Sequence, residues 1–241
     1  MRILVTRPLP DAQHEVEALA AHGHEGVLAP LLVIEEVKDV TLDLNGAQAL
    51  IVTSRNALRA LAHHPALAAA RNLSLFAVGG ATAEAARDLG FATVIDGPGT
   101  GAGLAELIIE TTDPKDGRLV HLAGATLAFD LRRVLQAEGF SVTQPVLYRA
   151  LPAGELPGQA LRSLKDGTLD GVILMSPRTA KTFLALLERY GALTQGMRLV
   201  CYCISQAVAE VLAPLGFSVR VATGKREEDV LALLDSEAAS S

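Results

Sequence analysis

Apolar runs of strand length alternate with helix-period segments along almost the whole chain. The runs fall at Ile3–Thr6, Val27–Ile34, Ala49–Thr53, Leu73–Val78, Thr93–Ile95, Leu119–Leu122, Val142–Leu147, Gly171–Met175, Leu199–Ile204 and Val219–Val221. Several are almost continuously apolar, as expected of parallel strands covered on both faces. The segments between them predict helices over Asp11–Ala21, Arg55–Ala62, Thr82–Leu89, Leu104–Glu110, Phe129–Ala137, Leu161–Lys165, Arg178–Tyr190, Gln206–Leu215 and Glu228–Leu234. In the first of these, Val16, Leu19 and Ala20 share one face at helical spacing. Gly23, Gly90, Gly139, Gly191 and Gly216 follow helix ends, where a residue at positive φ stops the helix at little cost. Alternation of the two element types along almost the whole chain predicts an α/β protein with right-handed, doubly wound parallel sheets.

The pattern then repeats itself. ALIVTSRNALRALA (Ala49 to Ala62) is echoed by GVILMSPRTAKTFLALL (Gly171 to Leu187), with Ser54 matching Ser176 at an offset of 176 − 54 = 122. LFAVGGATAEAARDLGFATVID is echoed by LVCYCISQAVAEVLAPLGFSVRVAT, with Gly90 matching Gly216 at an offset of 216 − 90 = 126. RILVTRP (Arg2 to Pro8) is matched by RLVHLAG (Arg118 to Gly124), each leading through a helix to a strand near Pro30 or Pro145. So long a period excludes a short-repeat solenoid. It implies two similar α/β domains, and the space between two such domains is a natural ligand cleft. The segments Pro30–Glu35 and Tyr148–Pro152 look like a paired connection, which would make one domain discontinuous. Two sequential domains, 1–115 and 118–241, satisfy the repeat equally well. The tail Asp235–Ser241 reads as frayed.

Composition narrows the function classes. Of 241 residues, 50% are hydrophobic and 20% charged, enough for a packed core. Aromatics are 4% with no Trp, which argues against a base-stacking surface. The net charge is −6 and there is no Lys/Arg cluster, so nucleic acid is not an expected partner. No apolar run approaches the roughly 20 residues of a membrane helix, and MRILVTRP reads as a strand start, not a signal peptide. Cys201 and Cys203 alternate with Tyr202 in an apolar strand without a second pair, so they read as buried thiols in a reducing, cytoplasmic setting.

Candidate chemistry gathers at the carboxyl ends of the strands, where doubly wound sheets bind ligands. Thr6-Arg7, Thr53-Ser54-Arg55-Asn56, Gly79-Gly80-Ala81-Thr82, Ala123-Gly124-Ala125-Thr126, Ser176-Pro177-Arg178-Thr179 and Ser205-Gln206 all stand there. Each Ser or Thr can serve simply as a helix cap, worth about 1 kcal/mol. Six such ends in a duplicated chain also form a rim of N–H groups suited to anions. The run Gly97–Gly103 has the look of a dinucleotide loop but follows the fifth strand and lacks G-x-G-x-x-G spacing, so Thr100 is expected to cap a helix there instead. The six histidines show no metal-ligand spacing, and His121 at a strand end could face the cleft. No nucleophile elbow or Cys–His pair is present.

ILVTRP, TSRNAL, VGGATAEAARDLG, PVLYRA and MSPRTAKTFLALL, in this order, resemble the uroporphyrinogen-III synthase family over nearly the whole chain. The resemblance implies two α/β domains joined by a two-stranded linker, residues 1–35 with 151–241 forming one and 37–148 the other. The implied reaction is cyclisation of hydroxymethylbilane, a linear tetrapyrrole, with inversion of its last ring and loss of water. It uses no cofactor and no metal. The implied enzyme is a cytoplasmic monomer of haem and related tetrapyrrole biosynthesis, in transient contact with the preceding pathway enzyme. By motif, Tyr148 matches a tyrosine assisting departure of the hydroxyl. Thr6, Arg7, Ser54, Arg55, Asn56, Gly79, Thr82, Gly124, Ser176, Pro177 and Ser205 match substrate-lining positions. The loop Ala123–Phe129 lacks the cation that bacterial relatives often carry, and Ala207 stands where some have a threonine. The alternatives are a non-catalytic, two-lobed small-molecule binding protein and a nucleotide-dependent enzyme using Gly97–Gly103.

Overall fold

The structure is a computed structural model that describes residues 1–224 and 226–238. From the N-terminus the chain runs β1 (Arg2–Val5), α1 (Asp11–Ala21), β2 (Glu25–Leu28), β3 (Leu32–Glu36), β4 (Ala47–Val52), α2 (Arg55–Ala62), α3 (Leu67–Ala70), β5 (Ser74–Ala77), α4 (Gly80–Asp88), β6 (Val94–Asp96) and α5 (Gly101–Thr111). It continues with β7 (Arg118–Gly124), α6 (Leu131–Ala137), β8 (Val142–Thr143), β9 (Val146–Pro152), α7 (Gly158–Lys165), β10 (Gly171–Leu174), α8 (Pro177–Arg189), α9 (Leu193–Gly196), β11 (Val200–Cys203), α10 (Gln206–Leu212), β12 (Ser218–Val221) and α11 (Glu227–Ala238).

These elements divide into two compact units, Met1–Val33 with the chain from Leu151 onward, and Ile34–Ala150. Unit 1 carries a parallel sheet in the order β2-β1-β10-β11-β12, with Ile3 level with Gly171 and Val172 level with Cys201. Unit 2 carries β7-β4-β5-β6 in one path, with β8 added on the far side of β7, again parallel. Written out, the second order is β8-β7-β4-β5-β6. Matching by the sequence repeat sets β1 against β7, β2 against β8, β10 against β4, β11 against β5 and β12 against β6. The two sheets therefore have the same topology, but neither is one repeat. Each unit takes its first two strands from one repeat and its last three from the other.

Side-chain alternation explains the layering of unit 2. Leu50, Val52, Leu75, Ala77, Val120 and Leu122 pack on one face under α2 and α4. Ala49, Ile51, Phe76 and Leu119 point the other way, under Leu104 and Ile108 of α5 and Leu131 of α6. Both faces being covered is the condition that makes the strands read as continuous apolar runs. In unit 1 a single core joins Val5, Ile173 and Cys203 to Leu19, Phe183, Leu212 and Leu234.

Two strands that read as continuous are broken. Val27–Ile34 splits into β2 and β3 around Pro30, and Val142–Leu147 splits into β8 and β9 at Gln144 and Pro145. Proline brings no N–H, so the ladder cannot run through it. The neighbouring Ala29 and Leu31 N–H groups still donate to Val5 and Thr6 (2.8 and 3.0 Å), and the chain then leaves the sheet. Beyond the breaks, β3 and β9 are neighbours. Ala153 N–H donates to the Leu31 carbonyl and Val37 N–H to that of Leu147 (2.9 and 2.8 Å), so the two strands run antiparallel. The face of α1 turns about Leu19, which is buried as expected: Ala20 is exposed and Val16 half-buried, and Ala12 and Glu15 are buried with Leu19. The tail is not frayed through its described part. Helix α11 continues to Ala238, and Asp235 pairs with His22 at 2.7 Å and His24 at 3.1 Å. Ala239–Ser241 lie outside the described residues.

Candidate active site

In each sheet the winding reverses between two neighbouring strands, β1 and β10 in unit 1, β7 and β4 in unit 2. Ligands of such folds bind at the carboxyl ends beside that reversal. Unit 1 places Thr6-Arg7, Ser176-Pro177 and Ser205 at the ends of the adjacent strands β1, β10 and β11. Unit 2 places Gly124, Ser54-Arg55-Asn56 and Gly79–Thr82 at the ends of the adjacent strands β7, β4 and β5. Within each unit the expected residues are thus brought together.

What they do there differs. The Thr6 hydroxyl is buried and donates to the Ile173 carbonyl at 2.6 Å, tying β1 to β10. Ser176 accepts from the Thr179 N–H at 3.1 Å while the Thr179 hydroxyl accepts from the Ser176 N–H at 3.1 Å, a capping box that starts α8 with Pro177 in its first turn. Ser54 caps α2, accepting from the Asn56 N–H at 3.2 Å, and the Asn56 side-chain oxygen accepts from Arg59 at 2.6 Å. By contrast, α4 and α10, which match one another in the repeat, begin at Gly79 and Ser205 without any side-chain cap. Thr82 sits buried in the first turn of α4.

Arg7 is matched inside unit 1. Its guanidinium pairs with Glu227 of α11 and stands 3.6 Å from Asp11, at the start of α1. One turn on, Glu15 is buried, and its Oε2 has no hydrogen-bond partner among the described residues. Burial pushes its carboxyl up to about 7, with Glu227 and Asp11 pushing the same way and Arg7 opposing them. A carboxyl at i+4 from Asp11 and i−4 from Leu19 lies on the buried stripe of the helix. That spacing is the signal by which Glu15 could have been found.

Tyr148 is held by a close approach. It pairs with Gly124 where β9 runs beside β7 past an irregularity in register. A Cβ on Gly124 would lie 2.6 Å from the Tyr148 ring carbon that bears the hydroxyl and 2.8 Å from the hydroxyl oxygen. Only glycine leaves room for the ring there. The hydroxyl itself takes no hydrogen bond among the described residues. Behind this pair, His121 is buried within β7, not at a cleft face. Its Nδ1 is 3.3 Å from the Gln144 amide oxygen and its Nε2 is 3.3 Å from the Thr53 hydroxyl. Burial holds the imidazole below its ordinary pKa, against the Gln144 hydrogen bond, so the neutral ring donates to Gln144 and accepts from Thr53.

The glycine-rich loop does not offer a phosphate cradle. Gly97 N–H donates to Ala77 and Gly99 N–H to Val78 (2.8 and 2.7 Å), so both donors are spent on backbone. Thr100 caps α5 by accepting from Gly103 N–H at 3.2 Å. Cys201 and Cys203 are buried free thiols, pushed by burial up to about 12 and about 11. Among the described residues no group of three His, Cys, Asp or Glu side chains is arranged to hold a metal ion, and no helix is long and apolar enough to cross a membrane.

Comparison with known proteins is consistent in one direction. The family profile HEM4, described as uroporphyrinogen-III synthase HemD, matches residues 13–232. No curated protein matches the chain. Among solved structures, the chain is similar to uroporphyrinogen-III synthetase from Helicobacter pylori, with 21% identity, a TM-score of 0.68, and coverage of 98% of each chain. It is also similar to a mutant uroporphyrinogen III synthase from the extremely thermophilic bacterium Thermus thermophilus, with 16% identity, a TM-score of 0.58, and coverage of 100% of each chain.

Proposed function

The chain belongs to the uroporphyrinogen-III synthase family, an enzyme family of tetrapyrrole biosynthesis, and from that premise we propose that it closes hydroxymethylbilane with inversion of the terminal ring and loss of water. The reaction class is that of a cofactor-independent hydro-lyase. The observation that carries this reading is the Tyr148 hydroxyl, held against Gly124 and unspent on any described partner. A phenol so placed can donate to the departing hydroxyl as the carbon–oxygen bond breaks, and the oxygen leaves as water. His121, Thr53 and Gln144 stiffen β7 behind it.

The other groups serve positioning, which suits a substrate that is itself reactive and can close without inversion. Carboxylates of the substrate take backbone N–H groups at the strand ends of each unit, with Ser205, Gly79 and Thr82 at the starts that lack a side-chain cap. Ser54, Arg55, Asn56, Ser176 and Pro177 shape the neighbouring turns, and Thr6 and Arg7 fix the end of β1. The functional domains in this reading are 1–35 with 151–241 and 37–148. The protein acts as a cytoplasmic monomer. The test is purified protein with freshly generated hydroxymethylbilane, products resolved by isomer. Excess III isomer over the spontaneous I isomer is expected. A product mixture identical to the uncatalysed one would leave a binding protein in its place.

A further inference from the structure

Past β7 the chain of unit 2 turns through residues 125–130 into α6, and a concavity of about 760 Å³ opens at that turn. The size lies within the range of small-molecule sites. Its polar lining is Thr126, Asp130, Arg132, Arg133, Gln136 and Gln144, with the turn 125–129 closing one side. The two arginines differ from three others in the same unit. Arg87 is held by Asp96, Arg118 by Asp43, and Arg71 by the Leu89 carbonyl. Arg132 and Arg133 are exposed, and their guanidinium groups take no hydrogen bond or ion pair among the described residues. The one carboxylate in the lining, Asp130, is engaged as the cap of α6, accepting from the Arg133 N–H at 3.1 Å. A chain of net charge −6 thus keeps two unmatched cations facing one hollow.

The hollow is also wired to the candidate site. Ala125 N–H donates to the Tyr148 carbonyl at 2.9 Å, and Gln144, which lines the hollow, takes the His121 ring. We propose that this concavity is a carboxylate-binding subsite in which Arg132 and Arg133 receive an acidic side arm of the substrate. The proposal rests on the reading of the substrate as a polycarboxylate. A guanidinium presents paired N–H donors in the fork that matches a carboxylate, which an ammonium does not. Occupancy places the side arm against the turn whose first N–H donates to the Tyr148 carbonyl, a contact that forms whether or not the arm is bound.

The experiment uses the whole chain and two readouts. Benzene-1,3,5-tricarboxylate is titrated against wild type and R132Q/R133Q by amide NMR, and KM and kcat for hydroxymethylbilane are measured for both across a salt series. In wild type the probe is expected to shift the Ala125, Asp130 and Tyr148 amides saturably, and the double variant is expected to lose those shifts. KM is expected to rise about tenfold or more, the loss expected for a charged hydrogen-bonded contact, with kcat within about threefold and a flatter salt dependence of KM. R132K/R133K, which keeps the charge and loses the fork, is expected to fall between. Shifts that survive in R132Q/R133Q, or an unchanged KM, overturn the subsite. A wild-type chain that makes no III isomer yet saturates with the tricarboxylate keeps the subsite and removes the reaction proposed above.

Discussion

Unit 1 and unit 2 share one sheet topology, and in both a serine cap is bound internally, but they differ in the polar group beside the sheet reversal. In unit 1 the Thr6 hydroxyl, the Arg7 guanidinium and the Ser176 hydroxyl are all bound within the unit, the first inside the sheet, the second by Glu227 and Asp11, the third by Thr179. In unit 2 the Tyr148 hydroxyl is free of described partners and is pinned in place by the absence of a side chain at Gly124. The buried titratable groups differ in the same sense. Unit 1 hides a carboxyl, Glu15, that is at ease when protonated, and unit 2 hides an imidazole, His121, that is at ease when neutral. Of two similarly wound units, unit 2 thus keeps a phenol free of described partners. Side-chain chemistry should be found in the second.

The largest expected effect tests that asymmetry directly. Tyr148→Phe removes only the hydroxyl and should lower turnover by about a hundredfold or somewhat less, the low end of general-acid assistance, because the substrate is reactive unaided. Gly124→Ala should do at least as much, since its methyl group must displace the ring. Ser205→Ala, at a matching helix start of unit 1, should cost less than about tenfold. Steady-state kinetics with isomer analysis, alongside thermal melts, decide it. A fully active Tyr148→Phe enzyme, or a Ser205→Ala loss as large as that of Tyr148→Phe, would break the contrast.

The next effect separates the units by pH. Folded Glu15 keeps its proton to about pH 7, whereas the unfolded chain releases it near 4.5. The folded state therefore binds more protons between those values. Stability from this group is full below 4.5 and is lost as pH rises through 7, by on the order of 3 kcal/mol. His121 behaves inversely. Its folded pKa lies below 6.5, so its contribution is full above 6.5 and is lost as pH falls from there towards the folded value. Acidification from pH 8 to 5.5 should strengthen amide protection in β1 and α1 and weaken it in β7. Hydrogen exchange resolved by segment reads both, and Glu15→Gln should flatten the first trend alone and stabilise the protein at pH 8.

The smallest effects are the caps. Ser54→Ala and Ser176→Ala should each cost about 1 kcal/mol of stability by chemical denaturation and only modest activity. A collapse of activity at either would assign it a role in the chemistry that its hydrogen bonds do not suggest.

Much of the fold is legible in the sequence because local signals agree with the tertiary outcome. Asp11–Ala21 and Arg55–Ala62 can be read to the residue, the second because Ser54 is a strong cap ahead of an amphipathic run. The short helices Leu67–Ala70 and Leu193–Gly196 leave no such trace, since four residues span barely one turn and carry no periodicity to read. Pro30 and Pro145 stand out as markers but do not by pattern alone announce breaks, although a missing N–H is a property of the residue itself. The site is legible as a set of strand ends, not as a set of roles. Whether a hydroxyl at a strand end is spent depends on which carbonyl stands opposite, as Ile173 does for Thr6, and that partner lies 167 residues away. The Gly124–Tyr148 approach likewise exists only once β9 has been laid against β7.

The interleaving of the two repeats also sets an order of assembly. Unit 2 is continuous along the chain and can complete its sheet from residues 34–150 alone. Unit 1 must bring β1 against β10, Ile3 against Gly171, across that whole insertion. Closing so long a loop from a disordered chain carries an entropy cost that grows with its length, but once β3 and β9 have paired, Leu31 and Ala153 are hydrogen-bonded neighbours and the effective loop is short. During synthesis, β1, α1 and β2 emerge first and wait on the order of 10 s, at ordinary elongation rates, for the strands that cover them. The apolar Ile3, Leu4 and Val5, buried in the finished sheet, are therefore expected to stay uncovered on one side until β10 arrives, and early folding of the inserted unit shortens that exposure.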